Sequence, residues 1–167
     1  KRAGGGFDAS YNAQTAVDDA AHIIVAAELT NNASDAGELP TMLQAVRDNL
    51  GELPKQVLAD TGYKAEAVFE ALADTGCDLV VSVGREGKQA LRFDPQRSPR
   101  TAAMAAKLQT EDGKAAYRRR KWIAEPPNGW IKHVLGFRQF SLRGLHRVRA
   151  EWKLVCLALN LRRMAAM

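Results

Sequence analysis

The 167-residue chain holds two cysteines, Cys77 and Cys156, and they form no CxxC pair. That spacing argues against a disulfide framework or a thiolate zinc site and points to a reducing, intracellular setting. No apolar run approaches the roughly 18 residues that a membrane span needs, so a soluble protein with no membrane attachment is expected. No signal-peptide pattern is present, and a chain opening on Lys1 reads as a piece of a longer protein. The three histidines, His22, His133 and His146, share no ligand spacing, and His22 is expected in a strand. Neither GxGxxG, a Walker loop nor GxSxG occurs. The rest of the composition, 46% hydrophobic and 26% charged, is that of a globular domain and excludes disordered and collagenous classes.

Charge is divided unevenly along the chain. Residues 1–113 carry 11 Lys and Arg against 17 Asp and Glu; residues 114–167 carry 13 Lys and Arg against Glu125 and Glu151 alone. A cationic third joined to an acidic body suits a polyanionic partner, most simply nucleic acid. The alternative is a solvated basic helix surface.

Residues 1–7 are basic and glycine-rich and read as a linker or broken end. Tyr11–Val17 alternates, and His22–Leu29 is an apolar run suited to a buried strand; with Asp18-Asp19 as the turn, the two predict an antiparallel hairpin. Ser34 or Asp35 is placed to cap a helix with Leu39, Met42, Leu43, Val46 and Leu50 on one face, closed by Gly51. A short strand Gln56–Asp60, a helix marked by Val68, Phe69 and Leu72, and a strand Leu79–Val83 follow, with Gly76 placed to end the helix. Cys77 is expected as a small buried residue leading into that last strand. Residues 84–100 read as a loop or insertion. Helices are then expected at Thr101–Leu108, from Lys114 onward and at Leu142–Met164. This order describes a mixed α/β domain.

Two acids could carry chemistry. Asp60 follows Val57-Leu58-Ala59 at a strand end, where a carboxylate can leave the core and face a ligand; a turn-forming aspartate before Thr-Gly reads equally well. If its segment is helical, Glu125 shares one stripe with Arg118, Lys121 and Lys132. A lone carboxylate among cations suits a metal ligand beside bound phosphates, and also a salt-bridged solvated helix.

The segments GFDASYNAQTAVDD, QVLADTGY, YRRRKWIAEPPNGWIKHVLGF and RGLHRVRAEWKLVCLALNL resemble bacterial insertion-sequence transposases of the DDE class, in order and over nearly the whole chain. The resemblance implies a ribonuclease H-like mixed sheet flanked by helices, in which three carboxylates hold two Mg2+ or Mn2+ ions. It maps Asp60 to the second acid and Glu125 to the third, both as catalytic and metal-binding residues. Lys132 then matches the basic residue seven positions after the glutamate, and Tyr117 with Lys121 or Arg118 approximates the aromatic and basic positions before it. The expected activity is DNA cleavage and strand transfer, with Arg118, Arg119, Arg120, Lys121 and Lys132 holding DNA at transposon ends and target. A cytoplasmic, nucleoid-associated protein is implied, dimeric at full length.

Two departures accompany the match. Pro126-Pro127 falls inside the helix that would carry Glu125, where proline removes a hydrogen bond. No first aspartate is found: the hairpin resembles the second and third strands of the fold, and Asp18 reads as its turn. Residues 1–167 are therefore expected to be a partial catalytic domain without its first strand, inactive alone, with 114–167 as a basic helical region. A metal-dependent nuclease of the same fold and a non-catalytic DNA-binding module are the alternatives.

Overall fold

The computed structural model describes residues 10–84 and 94–167. Strands β1 (Asn12–Val17) and β2 (Ile24–Thr30) pair antiparallel from Asn12 opposite Thr30 to Val17 opposite Ile24, with a bulge between Ala16 and Val17. Asp18 makes their connection. Its carboxylate accepts the backbone N–H groups of Ala20 (3.0 Å), Ala21 (2.8 Å) and Ile23 (2.6 Å), the turn role read from the sequence. His22 lies in this turn and not in a strand, with φ at +57°.

Helix α1 (Leu39–Leu50) starts at Glu38 with no side-chain cap, and Pro40 supplies a preset φ in its first turn. The expected caps do other work: Ser34 accepts the N–H of Ala36 (3.3 Å), and Asp35 joins a polar network. Gly51 closes α1 in the left-handed conformation, φ +83°, as its position predicts.

Strand β3 (Gln56–Ala59), helix α2 (Glu66–Ala71) and strand β4 (Asp78–Val81) form a βαβ unit, with β3 and β4 parallel from Gln56 beside Asp78 to Ala59 beside Val81. Gly76 lies beyond α2, in the turn that leads to β4. Cys77 is half-buried, and burial, with Asp78 beside it, raises its thiol pKa. Residues 85–93 of the expected 84–100 loop lie outside the described residues, and Pro99 and Arg100 already belong to helix α3 (Pro99–Lys107). The linker reading of residues 1–7 also falls outside them. Helix α4 runs Glu111–His133 through both prolines, and α5 runs Leu145–Met164, starting three residues later than expected.

Two cores hold these elements. In one, Ile24 and Leu29 of β2 meet Ile131 of α4 and Val148, Trp152, Cys156 and Leu159 of α5. In the other, Leu39 and Leu43 of α1 meet Ala59, Phe69, Leu79, Val81 and Met104. Helix α1 belongs to both sides, because Met42 and Val46 pack on Ala26 of β2. Burying each such Leu or Val contributes about 1.5–3 kcal/mol, so the periodic apolar positions account for the packing. The strands do not form one mixed sheet: β1–β2 and β3–β4 are separate two-stranded sheets among the described residues. Helix α4 packs against strands of both.

Candidate functional site

Strand β3 ends on buried Ala59, and the next residue, Asp60, is exposed at its carboxyl end. There it caps the single 3-10 turn Thr61–Tyr63, and its Oδ1 accepts the N–H of Gly62 at 2.8 Å. A Cβ on Gly62 would stand 2.7 Å from Oδ2 of Asp35 and 3.0 Å from Oδ1 of Asp60. The two carboxylates thus approach one another across Gly62, where any larger side chain would have to push the Asp35 carboxylate aside.

Asp35 is held from behind. Its Oδ1 accepts from Asn12 Nδ2 (2.5 Å) and from Gln14 Nε2 (2.6 Å), and Gln14 is itself only 4% exposed. The Tyr63 hydroxyl donates to Gln14 Oε1. Burial raises the pKa of that phenol, and the negative charges of Asp35, Asp60 and Glu38 raise it further. Tyr63 therefore remains a donor across the working pH range. This network ties β1, the residues before α1 and the Asp60 turn together. Asp35, Gln14 and Tyr63 escaped the sequence reading because they lie up to 49 positions apart; the only local signal was the polar run Asn31–Asp35, which also reads as a cap.

Helix α4 supplies the second half. Arg118, Lys121, Glu125 and Lys132 are all exposed, as the helical stripe requires. Arg119 is engaged with Asp19 of the hairpin turn. Arg120 lies over the Tyr117 ring at 5.5 Å, and its Nε is buried without a hydrogen-bond partner among the described residues. Lys132 stands at the lip of an open groove of about 480 Å³ lined also by Arg138, Phe137, Phe140 and Trp152.

Part of the basic region is committed internally. Lys153 and Arg149 pair with Glu28 of β2, and Arg163 donates to the Ala21 carbonyl. Arg118 and Lys132 are exposed on α4, and Arg138 and Arg143 are exposed on the segment after it.

The packing of α4 on β3 sets the helix bearing Glu125 beside the strand that delivers Asp60. Carboxylate oxygens are the hard donors that Mg2+ and Mn2+ prefer. Among the described residues, however, no three His, Cys, Asp or Glu side chains cluster closely enough to hold an ion together. The donor type fits a divalent cation; the set as described is short of a full ligand shell. Asp18 engages both of its oxygens in the hairpin turn, accepting three backbone N–H groups there.

Residues 1–161 match the family model described as transposase DDE domain. The chain belongs to that family. No curated protein and no solved structure matches it. A DDE domain acts in transposition, its partner is DNA, and divalent metals are the general cofactors of the family. No helix among the described residues is long and apolar enough to cross a membrane.

Proposed function

We propose that this DDE domain carries out DNA cleavage and strand transfer for a bacterial insertion sequence, with Asp60 as the second acid of the catalytic set and Glu125 as the third. The observation that carries the reading is the exposed stripe of Arg118, Lys121, Glu125 and Lys132 on a helix packed beside β3. When bound, Mg2+ or Mn2+ held by Asp60 and Glu125 supplies Lewis-acid activation of the attacking oxygen and stabilisation of the leaving one. The chain's own residues do the rest. Arg118, Lys121 and Lys132, with a lesser share from Arg119 and Arg120, hold phosphates and align the scissile strand along α4. Asp35, backed by Gln14 and Tyr63, keeps the Asp60 turn in place.

The fold we infer is ribonuclease H-like and short of its first strand. The separation of β1–β2 from β3–β4 supports this, since among the described residues β1 and β3 each pair with one strand and α4 packs against both pairs. A strand between β1 and β3 would unite them and bring the first aspartate. Without it the 167-residue chain is inactive alone. The full-length protein acts in the cytoplasm at the nucleoid, as a homodimer on transposon ends.

The test is metal-dependent nicking of supercoiled plasmid by this chain and by the full gene product, followed by a strand-transfer assay. The reading predicts a silent chain, with cleavage and joining by the full product. A second reading, a DNA-binding module without catalysis, draws on the incomplete carboxylate set; cleavage by the full product that survives Asp60→Asn favours it. Cleavage without joining marks a nuclease.

A further inference from the structure

Pro126 has no N–H, so the Trp122 carbonyl four residues earlier loses its intrahelical donor. In this chain the carbonyl is served from outside the helix. His22 Nε2 lies 2.9 Å from the Trp122 oxygen, and because a carbonyl only accepts, Nε2 carries the proton. His22 reaches it from the β1–β2 turn, 100 positions away, with a left-handed backbone that side chains rarely adopt.

Three further contacts fix the same turn. Asp19 pairs with Arg119, the His22 ring meets Trp130 edge-on at 5.9 Å, and Arg163 joins the Ala21 carbonyl while its guanidinium lies 4.7 Å over the Trp130 ring. The hairpin turn therefore grips α4 before the proline pair, at Arg119 and Trp122, and after it, at Trp130. It spans the place where a proline-interrupted helix bends most readily.

We propose that His22 is a positioning residue that splints the proline break of α4, holding Arg118 and Lys121 on the upstream half in line with Lys132 on the downstream half so that all meet one phosphate backbone. Glu125 stands inside the splinted turn and takes its direction from it. The inference rests on the reading of α4 as the DNA-binding face. The His22 bond also replaces the donor that Pro126 removes from a helix that runs unbroken to His133.

The experiment measures binding of the chain to a fluorescein-labelled 20-base-pair duplex by anisotropy at several salt concentrations, with far-UV circular dichroism to monitor folding. His22→Phe keeps a ring and removes the donor; it is expected to weaken binding about fivefold and to lower the salt slope by about one. His22→Gln, which presents an amide donor near the same place, is expected to bind within about twofold of the parent. The deciding variant is the double His22→Phe/Pro126→Ala, whose new N–H at position 126 serves the Trp122 carbonyl from within the helix. It is expected to restore affinity and slope, and it does so whether or not the single His22→Phe protein folds. A His22→Phe protein that binds like the parent, or a double variant as weak as the single, overturns the splint. Arg118→Glu/Lys132→Glu separates the two levels. If that protein binds DNA like the parent, the DNA-face reading fails and the splint with it. If it loses binding while His22→Phe does not, only the splint fails.

Discussion

Asp35→Ala separates two effects that oppose one another beside Asp60. The substitution removes a negative charge facing Asp60 across Gly62, which alone relieves repulsion of about 1 kcal/mol when one carboxylate is half-buried and the other exposed. It also takes the Asp35 acceptor from Asn12 Nδ2 (2.5 Å) and from one of the two Gln14 Nε2 hydrogens (2.6 Å), while Gln14 Nε2 keeps its bond to Asn12 Oδ1 at 2.8 Å. Gln14 is buried and tied up on its other side by Tyr63, so it cannot turn to water. An unsatisfied buried donor costs about 1–3 kcal/mol, and the loss at the half-buried Asn12 adds about 1 kcal/mol. The hydrogen-bond loss outweighs the relief, and Asp35→Ala is expected to destabilise by about 2–3 kcal/mol. For a chain of this size that lowers the thermal midpoint by about 4–12 °C. Asp35→Asn is the control, because its oxygen still accepts from both amides while the charge is gone; it should lie within about 1 kcal/mol of the parent. The assay is urea unfolding followed by circular dichroism. An Asp35→Ala protein as stable as the parent would mean that the network behind Asp60 does not hold it.

Reversing Arg118, Arg119 and Arg120 to Glu should weaken duplex binding and flatten its salt dependence; because Arg119 already pairs with Asp19, its single reversal should do less than that of Arg118, as competition binding at two salt concentrations will tell. Asp18→Ala leaves three turn N–H groups without their acceptor and should cost about 1–3 kcal/mol without changing DNA affinity per folded molecule; a loss of metal-dependent cleavage specific to this variant would make Asp18 the first acid after all. Tyr63→Phe should remove the latest component of the tyrosinate absorbance rise on alkaline titration. With the Tyr63 pKa raised by folding, its stabilising effect is present in full below the unfolded phenol value of about 10 and is lost above it, so the parent's stability should fall more steeply than the variant's at alkaline pH.

Local signals carried much of the fold into the sequence. The alternation in Tyr11–Val17, the apolar run after it and the one-faced spacing of Leu39 to Leu50 each matched an element, because each buries one defined face. Gly51 closes α1 for a backbone reason that a sequence states directly. What stayed hidden was non-local. Asp35 was read as a cap because its competition for Gln14 and Asn12, more than 20 positions away, leaves no local mark. The proline pair showed that α4 lacks a hydrogen bond, and the donor that replaces it sits on a hairpin turn whose tip no periodicity places beside Trp122. The division into two sheets was also illegible, since strand patterns report burial and not which edges pair. For the candidate site, the exposed stripe around Glu125 follows from helical spacing alone, whereas the face-to-face arrangement of Asp35 and Asp60 needs the folded chain.

The proposed function requires Asp60 and Glu125 to serve one reaction. The most direct measurement is Mn2+-dependent cleavage of a supercoiled plasmid by the full gene product, run beside its Asp60→Asn and Glu125→Gln variants, with duplex binding measured on the same preparations. Both variants should drop to the metal-free background while binding DNA as the parent does, and combining them should lower cleavage no further, as expected for residues that act as a unit. Cleavage at the parental rate by either variant would contradict the account.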